Sequence, residues 1–65
     1  MWKVVYMAQS KALADRIQEL LIREGFLIKL RAVYRNVPEK DNLYEILVPH
    51  IEAEEVHNIL MEHGF

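Results

Sequence analysis

The chain has 65 residues, no cysteine, 52% apolar residues and a formal net charge of −2, which exclude a disulfide scaffold, a thiolate metal site and a disordered segment. We expect one domain over residues 1–65. A chain this short buries only about 60% of the surface of its unfolded form, so it needs a further source of stability, and we expect self-association to supply it.

The net negative charge and the N-terminal sequence suggest a cytoplasmic protein without a membrane or nucleic-acid partner. Residues 1–36 carry a net charge of +4 and residues 37–65 a net charge of −6, a pattern that allows head-to-tail pairing or simple solvation of the surface. The N-terminus lacks the apolar run of a secretory signal, and no stretch approaches the about 20 apolar residues of a membrane helix.

The first half of the chain predicts a strand, a helix and a second strand. Residues 2–7 are β-branched and aromatic, which favours a strand. Ser10 is a candidate N-cap for an amphipathic helix that Gly25 ends in the left-handed C′ position. Residues 26–34 alternate between apolar and polar side chains, as a half-buried strand does.

The second half predicts a loop, a third strand and a second helix. The loop covers residues 35–42, and the strand covers residues 43–48 and stops at Pro49. Residues 49–65 then repeat the pattern of residues 10–26 at an offset of 39, so that Gly64 corresponds to Gly25. A strand follows the first Gly-Phe pair, whereas nothing follows the second.

This order predicts an α+β fold, a β-α-β-β-α ferredoxin-like two-layer sandwich that lacks the last strand. We expect a three-stranded sheet with two helices on one face. A right-handed crossover predicts that the first strand lies beside the third and parallel to it. The first strand, with Trp2, Val4 and Tyr6, would then be a bare edge, which invites pairing with another chain.

Alternation along the strands predicts which side chains face away from the helices. The expected helix-free set is Lys3, Val5, Met7, Lys29, Arg31, Val33, Leu43, Glu45 and Leu47. Arg31 would lie opposite Glu45, or be shifted by two residues. The alternative is that the first strand is phased the other way.

The helix-free face is too apolar to remain in contact with water. Together with the bare edge of the first strand, it predicts a subunit interface, most simply in a homodimer. The candidate interface residues are Trp2, Val4, Val5, Tyr6, Met7, Leu43, Leu47 and Phe65. Phe65 could fill its own core or that of a partner.

The candidate ligand site is a basic group formed by Lys29, Arg31, Tyr34 and Arg35. Arginine can hold a carboxylate or a phosphate with two N–H donors, so the expected ligand is a small anion. The alternative is an edge strand that charge protects from aggregation.

Metal binding and catalysis have weaker support. His50, Glu54 and His57 could share one stripe of a helix, but their spacing is not that of the common helical zinc motif, and we interpret them as surface residues. Ser10 is explained as a cap. We expect no metal, no cofactor and no enzymatic activity.

The segment WKVVYMAQSKALADRIQELLIREGF and the later YEILVPHIEAEEVHNIL resemble a family of small prokaryotic domains of unknown function, described as signal-transducing, with a PII-like or ACT-like fold. The resemblance implies self-association and regulation by a small ligand. The chain departs from ACT-type sites at Met7-Ala8-Gln9-Ser10, where they place a glycine, and its loop Arg35–Asn42 is short for a PII-type protein.

Three functions therefore compete. The first is a regulatory or ligand-sensing module that acts as a homo-oligomer, and the second is a protein–protein adaptor without a small ligand. An enzyme is the third, including the glutamate decarboxylase label that we expect some similar chains to carry. We reject that activity, because the chain is far too short for that fold and no lysine has a recognisable Schiff-base context.

Overall fold

The computed structural model describes residues 1–65 and has the predicted order of strands and helices. Strands β1, β2 and β3 are Trp2–Ala8, Lys29–Ala32 and Tyr44–Pro49, and helices α1 and α2 are Lys11–Arg23 and Ala53–Glu62. Short 3-10 turns at Glu39–Asp41 and His50–Glu52 precede β3 and α2. The fold is thus α+β and ferredoxin-like with one strand lacking, as predicted.

The sheet has the order β1-β3-β2 and is antiparallel throughout. β1 lies at an edge beside β3, as expected, but the prediction that it runs parallel to β3 was wrong. The crossover through α1 makes β1 parallel to β2, and β3 enters between them from the loop after β2. Because β3 runs in the opposite direction to β2, it is also antiparallel to β1.

A β-bulge in β1 changes which of its side chains face the helices. Val4 lies opposite Leu47, whereas Tyr6 lies opposite Ile46, so Val5 is the extra residue. A bulge resets the alternation of side chains along its strand. Val5 is consequently 7% exposed and belongs to the hydrophobic core, which corrects its predicted place on the helix-free face.

The predicted place of Lys3 on the helix-free face was also wrong. Lys3 lies opposite the buried Val48 and hence on the helix-bearing side, where it remains exposed at the end of the strand. Met7 follows the bulge and lies opposite Glu45, so it keeps its predicted place on the helix-free face. Arg31 also lies opposite Glu45, from the other side, as predicted.

One hydrophobic core lies between the sheet and both helices. Ile17 and Leu21 of α1 and Val56 of α2 are fully buried against Ile46 and Val48 of β3. The molecule is correspondingly thin, with Cα extents of 32 × 25 × 16 Å, because helices cover only one face of the sheet.

Both helices end in the same way, which confirms the repeat. Gly25 and Gly64 have φ angles of +94° and +84°, which a glycine adopts without strain. The amide of Phe26 donates to the carbonyl of Leu21 over 2.9 Å. At the corresponding position, the amide of Phe65 donates to the carbonyl of Leu60, also over 2.9 Å. These are two Schellman motifs 39 residues apart.

Candidate functional site

The predicted basic group does not converge on one site. The Nε of Arg31 donates a hydrogen bond of 2.8 Å to Oε1 of Glu45. The Nζ of Lys29 lies 4.8 Å from the centre of the Trp2 ring. Tyr34 and Arg35 follow β2 in the exposed loop. Two of the four residues are therefore engaged on the helix-free face of the sheet, while the other two lie beyond its end.

The Lys29–Trp2 contact crosses the helix-free face near the C-terminal end of β3. These residues lie on the two edge strands, which are about 10 Å apart because β3 runs between them. The two side chains must together span β3, near Leu47, which pairs with Lys29. This explains why Leu47 is only 4% exposed although no helix covers its side of the sheet.

Around Leu47, the helix-free face leaves large apolar side chains in solvent. Trp2 and Val4 are each 37% exposed, and Met7 is 45% exposed. Continuing the alternation of β3 places Leu43 on the same face, where its carbonyl accepts a hydrogen bond from the amide of Val33. We call this set, Trp2, Val4, Met7, Leu43 and Leu47 with the Arg31–Glu45 ion pair, the open face.

Three predicted interface residues lie on the other side of the sheet. Val5 is in the core, and Tyr6 and Phe65 pack against that core. The Tyr6 and Phe65 rings meet edge to face, with centroids 6.2 Å apart and an interplanar angle of 80°. Phe65 therefore packs against the core of its own chain, which was one of the two roles expected for it.

The structure has one surface depression, and sequence reasoning did not single it out. It lies between α1 and the C-terminal end of α2 and has a volume of about 410 Å³. It is lined by Arg16, Glu19, Leu20, Arg23, Glu24, His63 and Phe65. The available signals were the i, i+7 spacing of Arg16 and Arg23 and the aromatic residue that ends the repeat.

The two arginines of the depression form no direct ion pair. The guanidinium carbon of Arg16 lies 5.6 Å from the centre of the Phe65 ring, a cation–π contact. The ion pairs of the molecule are Lys11–Asp15 and Arg31–Glu45, so neither Arg16 nor Arg23 has a carboxylate oxygen within 4.0 Å. Neither guanidinium group thus contacts a carboxylate directly, while Arg16 lies against Phe65 and the side chains of Glu19 and Glu24 line the same depression.

The possible metal ligands of the chain do not form a cluster. No group of three or more His, Asp or Glu side chains is arranged to hold a metal ion. His50, Glu54 and His57 are all exposed. Lys11 makes a hydrogen bond of 2.9 Å to Asp15, which raises the pKa of its ammonium group, but this pair lies in the first turns of α1 and outside the depression. Neither helix has the length and apolar character that crossing a membrane requires.

Comparisons of the chain with models of protein families, with curated proteins and with solved structures found no match. Fold and surface together define a small two-layer α+β domain with an open sheet face and one polar depression.

Proposed function

We propose that this protein is a small regulatory or ligand-sensing module of the cytoplasm that acts as a homo-oligomer, in the first place a dimer. The observation that carries the proposal is the open face, where Trp2, Val4 and Met7 remain 37–45% exposed around Leu47. Contiguous apolar surface of this kind marks interaction sites in soluble proteins.

The size of the open face is consistent with a weak dimer. The three strands have seven, four and six residues and lie about 4.8 Å apart, so they present roughly 300 Å² of projected area in each copy. With the relief of the side chains, two such faces would bury on the order of 1,000 Å², which is near the lower limit for a specific interface. We therefore expect a dissociation constant on the order of micromolar.

The charges of the open face suit a second copy of the same chain. A twofold interface must be complementary to itself, and the open face carries both members of an ion pair. Arg31 uses only its Nε–H towards Glu45, and its side chain is 57% exposed. Its remaining N–H donors can bond the Glu45 carboxylate of a second copy, which would join two ion pairs into one network.

The regulatory part of the proposal is supported by the PII-like and ACT-like resemblance of the sequence and by the depression with its unpaired arginines. We propose binding rather than catalysis, because the two arginines of the depression have the chemistry to hold an anion.

The second candidate is an adaptor that docks a different protein, and the free edge of β1 favours it. An edge strand can accept a strand of a partner through backbone hydrogen bonds. The bulge between Val4 and Tyr6 interrupts that edge, and bulges are one means by which proteins prevent strand addition. We therefore propose the open face, and not the edge of β1, as the first candidate for the interaction surface.

The variant Met7→Lys tests the open face. Met7 lies opposite Glu45, so a lysine there gains a carboxylate neighbour and should fold, while its charge opposes burial against a second copy. We expect sedimentation velocity to show at least about tenfold weaker association than in the wild type. The matched control is Met61→Lys, because Met61 is 72% exposed on α2 and outside the open face.

Equal association of the two variants would contradict the proposed contact. A wild-type chain that stays monomeric but retains an unrelated protein, in a manner sensitive to Met7→Lys, would favour the adaptor instead.

A further inference from the structure

We propose that the depression between α1 and the C-terminal end of α2 binds an organic acid, with one carboxylate or phosphate group attached to a flat apolar body. The inference rests on the proposed ligand-sensing role and names its site and its ligand class. It does not depend on oligomer formation, because the lining residues lie on the helix side of the sheet.

Two arginines are aligned to hold the acid group. Arg16 and Arg23 are seven residues apart, so they lie within about 20° of each other around α1 and about 10 Å apart along it. An anion midway between them is about 5 Å along the axis from each residue, which an arginine side chain can reach. Since neither has a carboxylate partner within 4.0 Å, an incoming acid group breaks no ion pair.

Leu20 and Phe65 supply the apolar part of the site. Leu20 lies between the two arginines along α1, and the Phe65 ring is held from behind by its edge-to-face contact with Tyr6. Its amide is fixed by the hydrogen bond to the Leu60 carbonyl. A planar group in the depression can therefore pack beside Leu20 and the exposed part of a Phe65 ring whose position is already set by Tyr6 and Arg16, which reduces the entropy lost on binding.

The acidic residues of the depression limit the ligand to one acid group. Glu19 is turned about 60° to one side of the arginine line and Glu24 about 90° to the other, so they flank it. They repel every acid group, so the two arginines must outweigh them for the first one, and a second carboxylate or phosphate of the same ligand would find no further cation. His63, at the end of α2, provides a ring nitrogen at the far wall.

The test is a titration of the ¹⁵N-labelled protein followed by amide chemical shifts. The probes are benzoate and phenyl phosphate, with inorganic phosphate and benzyl alcohol as partial ligands. We expect both aromatic acids to shift amides of residues 16–24 and 63–65, with dissociation constants on the order of 1 mM for ligands of this size. Whichever acid binds more tightly identifies the acid group that the site prefers.

Variants separate this site from general electrostatic attraction. Arg16→Gln and Arg23→Gln should each weaken binding at least about fivefold, because each removes charge-assisted hydrogen bonds to the acid. The control Arg35→Gln makes the same change of charge in an exposed loop outside the depression and should leave binding unchanged.

Four results would overturn the inference. Two of them come from the titration: the absence of localised shifts up to about 10 mM probe, or shifts centred on residues 29–35. The other two come from the controls: a loss of binding in Arg35→Gln equal to that in Arg16→Gln, or equal binding of a partial ligand and its aromatic acid. A monomer that binds the acids would contradict only the proposed oligomer, whereas a dimer that fails to bind them would contradict only this site.

Discussion

Asn42 is the residue on which the loop between β2 and β3 most depends. It is 5% exposed, and it is the one polar residue of the buried set. Its Oδ1 accepts hydrogen bonds from the amides of Tyr34 and Leu43 over 3.0 and 2.8 Å, and its Nδ2 donates to the carbonyl of Tyr34 over 2.9 Å. The side chain thus pairs with the Tyr34 peptide as a neighbouring strand would.

The variant Asn42→Ala should destabilise the protein by about 1–3 kcal/mol, because it removes three hydrogen bonds to part-buried backbone groups of Tyr34 and Leu43. Urea unfolding followed by circular dichroism measures this loss. The control Asn58→Ala, on the exposed side of α2, should be neutral or stabilising by about 0.5 kcal/mol, since alanine is the better helix former. Similar free energies of unfolding for the two variants would show that the Asn42 bonds contribute nothing.

Single residues also show what the sequence could predict. The opposition of Arg31 and Glu45 followed from alternation, because charged and apolar side chains distinguish the two faces of β2 and β3. Val4 and Val5 give no such distinction, since both are equally suited to either face. The bulge that turns Val5 inward depends on packing beneath the helices, so alternation alone could not find it.

At the scale of the elements, the two helix ends are the best-predicted features. Each glycine has a positive φ and open space around the position that a Cβ would occupy. The requirement for glycine is therefore one of backbone conformation and not of crowding. A left-handed conformation disfavours most side chains locally, which is why sequence reveals it without any knowledge of the fold.

Gly25→Ala should cost about 1–2 kcal/mol, the strain of an L-residue in this conformation, and lower the melting temperature by roughly 4–8 °C per kcal/mol. Gly25→Asn should cost less, because asparagine tolerates positive φ. Thermal unfolding should give the same order at Gly64. A loss in Gly25→Ala that asparagine does not relieve would mean that contacts, and not φ, require the glycine.

β2 was predicted less well than the helices. Alternation suggested a strand over residues 26–34, whereas the strand covers only Lys29–Ala32. Phe26 completes the Schellman motif of α1, and Tyr34 pairs with the Asn42 side chain in place of a neighbouring strand. The backbone amides at both ends of the predicted strand thus form hydrogen bonds outside the sheet, which shortens the strand.

At the scale of the whole molecule, the order of elements and the uncovered sheet followed from the sequence. The depression did not, because it forms where α1 meets the end of α2, between residues about 40 positions apart in the chain. The Lys29–Trp2 contact across β3 is of the same kind. Cationic side chains were recognisable in the sequence, but their partners depend on long-range packing.

The open face gives the account its central claim, that the sheet is covered by a second copy. Sedimentation equilibrium of the wild type at increasing concentration tests this most directly. We predict a mass that rises from that of the 7.7 kDa chain towards about 15 kDa, with a midpoint on the order of micromolar. A mass of 7.7 kDa at every concentration up to about 1 mM, in a chain that circular dichroism shows to be folded, would contradict it.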